Sequence, residues 1–178
     1  MKKIFLLLTA TIFSASCFAM IPNEYNSTTS YQGKWWFNLG AGTMIAKKNK
    51  GTGVTGIAGE ISGNYATTNN QLLTIAVQDN FAGFYNVTSY NVMYGLMKKN
   101  DEGYISGSAG LGYTHAGEDL FGFTMSTNGL NIPFEAQAFL TPYQHVGFGL
   151  IGFVNVLAKN GLHPYGGVML AIQFGDLK

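Results

Sequence analysis

From Lys34 to Phe174 apolar side chains return at every second position, segment after segment, and that period restricts the chain to β-strands with two unlike faces. No apolar run in this stretch reaches the ~20 residues that a membrane-spanning helix needs, and no 3.6-residue stripe competes with the alternation. The first segment, about Lys34 to Ala46, sets Trp35, Phe37, Leu39 and Ala41 against Asn38, Gly40 and Gly42. The second, about Val54 to Thr67, sets Ile57, Ile61 and Tyr65 against Ala58, Glu60, Ser62 and Asn64. The third, Gln71 to Gln78, and the fourth, about Val87 to Met97, continue the pattern, the latter with Tyr90, Val92, Tyr94 and Leu96 on one side and Ser89, Asn91 and Met93 on the other. The fifth, Gly103 to His115, is the cleanest: Ile105, Ala109, Leu111 and Tyr113 oppose Ser106, Ser108, Gly110, Gly112 and Thr114.

The sixth segment, about Leu130 to Leu140, pairs Ile132, Phe134, Ala136 and Ala138 with Pro133, Glu135, Gln137 and Phe139. The eighth, about Tyr165 to Phe174, sets Val168, Leu170, Ile172 and Phe174 opposite Gly167, Met169, Ala171 and Gln173. Only the seventh, Val146 to Leu157, is blurred, because Phe148, Leu150, Val154 and Val156 share one parity while Ile151 and Phe153 take the other. Its register stays open at this point.

Charged residues make up 11% of the chain, against about 25% in ordinary soluble domains. A surface so poor in Lys and Glu is better suited to lipid than to water. Several segments are about ten residues long, the span of a tilted strand through a bilayer, and a sheet inside lipid must close on itself because an orphaned edge group there costs several kcal/mol. The expected fold is therefore all-β: an eight-stranded antiparallel up-and-down transmembrane β-barrel. Aromatic residues near strand ends, Trp35, Tyr65, Tyr104, Tyr113 and Phe174, would form the interfacial girdles.

The N-terminus reads as an export signal. Lys2 and Lys3 precede the apolar run Ile4 to Phe13, and small residues Ser14-Ala15-Ser16 lead to Cys17-Phe18-Ala19. Cys17 is the single cysteine, but Ser14 stands where a lipoprotein signal carries leucine, so the reading is cleavage after Ala19 rather than acylation at Cys17. Residues 1–19 are then a signal peptide, 20–33 a polar periplasmic leader, and 34–178 the barrel domain. Without the signal, eight lysines face nine acidic residues, and the chain contains no arginine. Nucleic acid is excluded as a partner on this ground, since phosphate binding needs a clustered positive surface.

With the leader in the periplasm, the connections Ala66 to Asn70, Lys98 to Glu102 and Thr141 to His145 are short inner turns. The outer loops are Lys47 to Thr52, Asp79 to Asn86, Ala116 to Gly129 and Lys159 to His163. Short periplasmic turns with longer outer loops are usual for barrels of this kind.

The signal, the eight alternating segments and the ending Val168-Met169-Leu170-Ala171-Ile172-Gln173-Phe174 together resemble the small eight-stranded Gram-negative outer-membrane barrels, the class of the OmpA transmembrane domain and OmpX. The resemblance covers Lys34 to Phe174 and is one of pattern. It implies residence in the cell outer membrane, contact with outer-membrane lipid, and insertion by the barrel assembly machinery, which in that class reads an aromatic residue ending the last strand. Here Phe174 has the right parity, yet Gly175-Asp176-Leu177-Lys178 follow it.

Inside such a barrel the polar parity would gather Asn38, Glu60, Ser62, Asn64, Asn91, Glu135 and Gln137 in one lumen cluster. Glu60 and Glu135 lie on strands facing each other across the barrel, with no lysine at their level, and a buried carboxylate without a cation is costly. They can be read as a proton-sharing pair or a small-solute site, or as part of a hydrogen-bonded plug; the plug is favoured, since eight strands leave a lumen just wide enough for side chains to fill. At the outer rim His115, an acid of Glu118 or Asp119, and Ser126 could be assembled into a triad, and His115, Glu118 and Asp119 into a metal site, but triads are defined by geometry, no Gly-x-Ser-x-Gly elbow occurs, and a solvated loop is the favoured reading. No catalytic residue, metal or cofactor is assigned. The run Leu120 to Met125 is unusually apolar for an outer loop, so Phe121, Phe123 and Met125 are a candidate contact site for a surface partner, or fold back on the rim.

The expected role is a non-enzymatic barrel with a packed polar lumen, contributing to envelope structure or surface interaction. Two rivals remain: a lipid A acyltransferase or deacylase, known among eight-stranded barrels, and a soluble periplasmic lipocalin-like ligand binder. The second requires the reverse orientation, with Leu39, Ile57, Ile75, Val92, Leu111, Phe134 and Leu170 inside and Glu60, Asn91 and Glu135 in water.

Overall fold

The computed structural model describes residues 32–47, 53–68, 70–83, 85–120, 123–157 and 164–177, and of these the side chains of residues 47, 85, 118–120 and 123–127 are left aside. Eight strands run in chain order: β1 Trp35–Lys47, β2 Gly53–Thr68, β3 Gln71–Ala82, β4 Tyr85–Lys99, β5 Gly103–Leu120, β6 Phe123–Leu140, β7 Val146–Leu157 and β8 Tyr165–Gly175. Each pairs antiparallel with the next, and β1 pairs antiparallel with β8, so the sheet is a closed barrel with no free edge. No described element is helical.

The parity read from the sequence sorts the side chains into two environments. Leu39, Ile57, Ile61, Ile75, Val92, Leu111, Leu130 and Leu170 stand on the outer face, Leu111 72% and Leu170 73% exposed, and they form a continuous apolar belt. A soluble barrel could not hold so many bare aliphatic groups in water, so the orientation required by the lipocalin-like alternative is reversed in the fold. The blurred seventh strand also resolves: Phe148 and Leu150 face outward, while Ile151 and Phe153 are buried in the lumen. Its pattern is mixed because both of its faces carry large apolar groups.

Two elements depart from the sequence-based boundaries. The segment Ala116 to Gly129 is not a long loop: β5 continues to Leu120 and β6 begins at Phe123, with the ladder running from Ala116 opposite Thr127 to Leu120 opposite Phe123. Beyond the apolar belt a hairpin needs no alternation of hydrophobicity, only backbone pairing, and the sequence carried no signal for it. In the same way β3 extends past Gln78 to Ala82, where Asp79 accepts a 2.9 Å hydrogen bond from the Thr88 hydroxyl of β4.

The chain end closes the mouth of the barrel at the side of the short turns. Gly175 has φ +149°, and a Cβ there would come within 2.6 Å of the Trp35 carbonyl oxygen and the Trp36 Cα. Only glycine allows the chain to turn so close to β1. Beyond it the Asp176 N–H donates to Trp35 O, the Leu177 N–H donates to Gln144 O, and Lys34 pairs with Asp176 at 3.2 Å. Leu177 is thereby fully buried. Asp176 and Leu177 are thus a folded cap that follows the last strand.

Candidate functional site

The lumen is layered. At the mouth capped by Leu177 the fill is aromatic and aliphatic: Trp36, Leu72, Met97, Tyr104 and Phe139 are buried together. Tyr104 and Phe139 stack at 5.5 Å between ring centroids, and Trp36 tilts against Tyr104 at 5.4 Å. Tyr104 was expected in the outer girdle; its even position in β5 turns it inward instead, and its hydroxyl becomes a hub. It accepts from Trp36 Nε1 at 3.1 Å and Gln173 Nε2 at 3.0 Å, and donates to Gln137 Oε1 at 2.8 Å. At the opposite end Met44, Ala58, Val87, Phe153, Tyr165 and Met169 fill the barrel, with Tyr165 and Thr114 both bonded to the Ser89 hydroxyl.

Between these layers all seven residues of the polar set, Asn38, Glu60, Ser62, Asn64, Asn91, Glu135 and Gln137, are buried and face the lumen. Glu60 and Glu135 each end a chain of amides. Gln78 Nε2 donates to Glu60 Oε2 at 2.7 Å, and Gln78 Oε1 accepts from Asn155 Nδ2 at 2.8 Å. Asn131 Nδ2 bridges Asn155 Oδ1 and Asn91 Oδ1 at 2.7 and 3.0 Å. The second chain starts at Gln137, whose Nε2 donates to Glu135 Oε1 at 2.5 Å and to Asn64 Oδ1 at 3.4 Å. Asn64 Oδ1 also accepts from the Thr74 hydroxyl, and Asn38 Nδ2 reaches Gln137 Oε1 at 3.3 Å.

Although they rise from opposite walls, the two carboxyl groups are near enough across the lumen to act on each other. Glu60 Oε1 and Glu135 Oε2 have no donor. Gly112 makes room for this bracket, since a Cβ there would lie 2.2 Å from Asn91 Oδ1 and 2.4 Å from Asn131 Oδ1. The sequence pattern does not single out Trp36, Gln78 or Asn131 for the lumen cluster, and it puts Tyr104 in the outer girdle. Their inward parity was visible, but which of the inward residues bond to one another depends on the stagger of the strands, which the alternation does not encode.

The other candidates fare differently. His115 is exposed at the outer end of β5 and its Nδ1 bonds to Asn128 Oδ1. The side chains of Glu118, Asp119 and Ser126 lie outside the described residues, and among those described no group of three His, Cys, Asp or Glu side chains could hold a metal. His145 Nδ1 bonds to Gly175 O at 3.0 Å at the capped mouth, and His163 is outside the described residues. Of the apolar contact run, Phe121 is outside the described residues, as are the side chains of Phe123 and Met125, whose backbones pair with Leu120 and Glu118.

Comparison with solved structures places this architecture in a class. Ail, the attachment invasion locus protein of Yersinia pestis, superposes with a TM-score of 0.64 at 16% identity, covering 81% of this chain and 99% of Ail. Neisserial surface protein A gives 0.68 at 13% identity, over 79% of this chain and 96% of that one. The N-terminal β-barrel domain of Pseudomonas aeruginosa OprF gives 0.58 at 12% identity, over 83% and 99%. The fold is that of the small eight-stranded outer-membrane barrels, and the apolar belt is the surface such a barrel turns to lipid. No protein-family model and no curated protein matches the sequence.

Proposed function

We propose that the protein is a non-enzymatic barrel of the outer membrane, a packed cylinder that contributes to envelope structure and presents its outer hairpins to the surroundings of the cell. Residues 1–19 direct export and are removed, 20–33 remain as a periplasmic leader, and the assembly machinery inserts the barrel by its last strand. The observation that carries this reading is the contrast between a bare apolar exterior and an interior filled by buried side chains, many of them hydrogen-bonded to one another across the lumen. A lumen filled in this way supports structure and surface contact better than conduction or chemistry.

The test is direct. The folded, heat-modifiable protein should be recovered in the outer-membrane fraction, and in planar bilayers it should give no stable large conductance. Lipid A from cells with and without the gene should carry the same acyl chains; a changed acyl pattern would instead establish a lipid-modifying barrel enzyme. For surface contact, Ail has been solved in complex with the heparin analogue sucrose octasulfate, which supplies a ready probe for the outer hairpins here. Phe121, Phe123 and Met125 are the first positions to alter if a surface partner is found.

A further inference from the structure

Two bridges of amides cross the lumen and frame the carboxyl pair. Toward the capped mouth, Gln137 of β6 bonds to Asn38 of β1 at 3.3 Å and to Asn64 of β2 at 3.4 Å. Toward the outer end, Asn155 of β7 bonds to Gln78 of β3 at 2.8 Å and is itself held by Asn131 of β6 at 2.7 Å. Glu135 stands between Asn131 and Gln137 on β6, and Glu60 stands on β2 opposite Gln78, with Ser62 between it and Asn64, so both acids enter the space between the bridges. Each carboxyl has one oxygen taken by an amide, Glu60 Oε2 by Gln78 and Glu135 Oε1 by Gln137, and one oxygen without a donor. Two further oxygens beside them are unpartnered. Ser62, 1% exposed, lies against the Glu60 carboxyl, yet its Oγ completes no hydrogen bond. Asn38 Oδ1, across the β1–β2 ladder from Ser62, is also without a partner.

Carboxylate and amide oxygens only accept, so this set calls for positive charge. Among the described residues no lysine or histidine takes an inward position between the layers around Trp36 and Met44. Water would bring donors but no charge, and one shared proton would serve the two carboxyls while leaving Asn38 and Ser62 unpaired. A divalent cation offsets both charges and accepts oxygen from all four residues. A donor set of oxygen alone favours a hard ion over zinc or copper. Drawn from three strands on opposite walls, it suits calcium, whose coordination is flexible, better than magnesium, which demands a near-ideal octahedron. We infer that Glu60, Glu135, Ser62 and Asn38 hold a calcium ion that braces the two walls of the lumen. Because the layers around Trp36 and Met44 fill the lumen on either side, the ion enters as the barrel folds and stays once it has closed. The inference rests on the packed lumen of the proposed reading, which bilayer conductance tests separately.

The exported protein is unfolded in urea and refolded into phosphatidylcholine vesicles with calcium, with magnesium or with a chelator, heat-modifiability serving as the check of folding. Barrel refolded with calcium and then moved into chelator should keep one ion per chain by elemental analysis, and its urea midpoint should exceed that of barrel refolded in chelator. Glu135→Gln preserves the bond from Gln137 and should fold in chelator as the wild type does. Its calcium retention should fall at least roughly tenfold, since loss of even an outer partner costs a metal site that much, and its midpoint should not respond to calcium. Ser62→Ala keeps both acids and should lower retention as well; it takes the place of Glu135→Gln if that variant is not heat-modifiable. A wild-type midpoint that ignores calcium overturns the proposal. So does full retention by Glu135→Gln, because the ion would then sit on acids outside the lumen, and so does an equal rise with magnesium, which would be the mark of general charge screening.

Discussion

The two faces of the barrel wall are made from the same strands but obey different rules. On the outside, any large apolar side chain serves, because lipid tails are fluid and conform to whatever shape they meet. On the inside side chains are fitted to particular partners, as Tyr104 is to Trp36, Gln137 and Gln173. Identical substitutions should therefore have different consequences on the two faces.

Leucine offers the sharpest comparison. Leu177 is fully buried under the capped mouth, whereas Leu170 stands in the outer belt. Leu177→Ala loses the transfer of its methyl groups and also leaves a cavity, for an expected cost of about 2–5 kcal/mol. Leu170→Ala loses only the transfer contribution, about 2 kcal/mol or less, since lipid closes the gap. Urea unfolding of the two variants in phospholipid vesicles measures the difference, and equal losses would mean that the cap does not pack as tightly as a core. A charge inverts the test: Leu111→Lys, if Leu111 lies near the bilayer midplane, should cost about 2–4 kcal/mol by the same measurement.

Smaller effects probe the polar layer. Tyr104→Phe keeps the stack on Phe139 but removes the hydroxyl that holds Trp36, Gln173 and Gln137. Stranding those buried groups should cost about 1–3 kcal/mol. A loss well below that range would mean that the three partners find one another without the hub.

What the sequence made legible follows from the same contrast. The outer face is written in bulk hydrophobicity, so Leu39, Val92, Leu111 and Leu170 announce both their strands and their side of the wall. Strand number and parity could be read from them, and so could the inward placement of Glu60, Glu135 and the five polar residues around them. The inner face is written in shape. Ile151 and Phe153 looked like noise because a lumen position can be apolar as readily as polar, and Tyr104 looked like a girdle residue because position near a strand end is weaker information than parity. The ladder from Ala116 to Gly129 was invisible because backbone pairing beyond the belt asks almost nothing of the side chains. The approach of Glu60 to Glu135 depends on strand stagger, which no single segment reveals.

That approach also supplies the subtlest test. Two carboxyl groups act on each other there, and Glu60 Oε1 and Glu135 Oε2 both lack a donor. In Glu135→Gln the side-chain oxygen can keep the bond from Gln137 Nε2 while the new amide N–H turns to Glu60, giving an orphaned acceptor its partner. If the pair serves only as filling, this variant should be as stable as the wild type or gain on the order of 1 kcal/mol, read from the urea midpoint. Glu135→Leu, by contrast, supplies no donor to Glu60 and takes an acceptor from Gln137, and should lose about 1–3 kcal/mol. A destabilised Glu135→Gln would show that the second carboxyl does something an isosteric amide cannot. The pair would then have to be treated as a working site, and the lumen could no longer be described as filling alone.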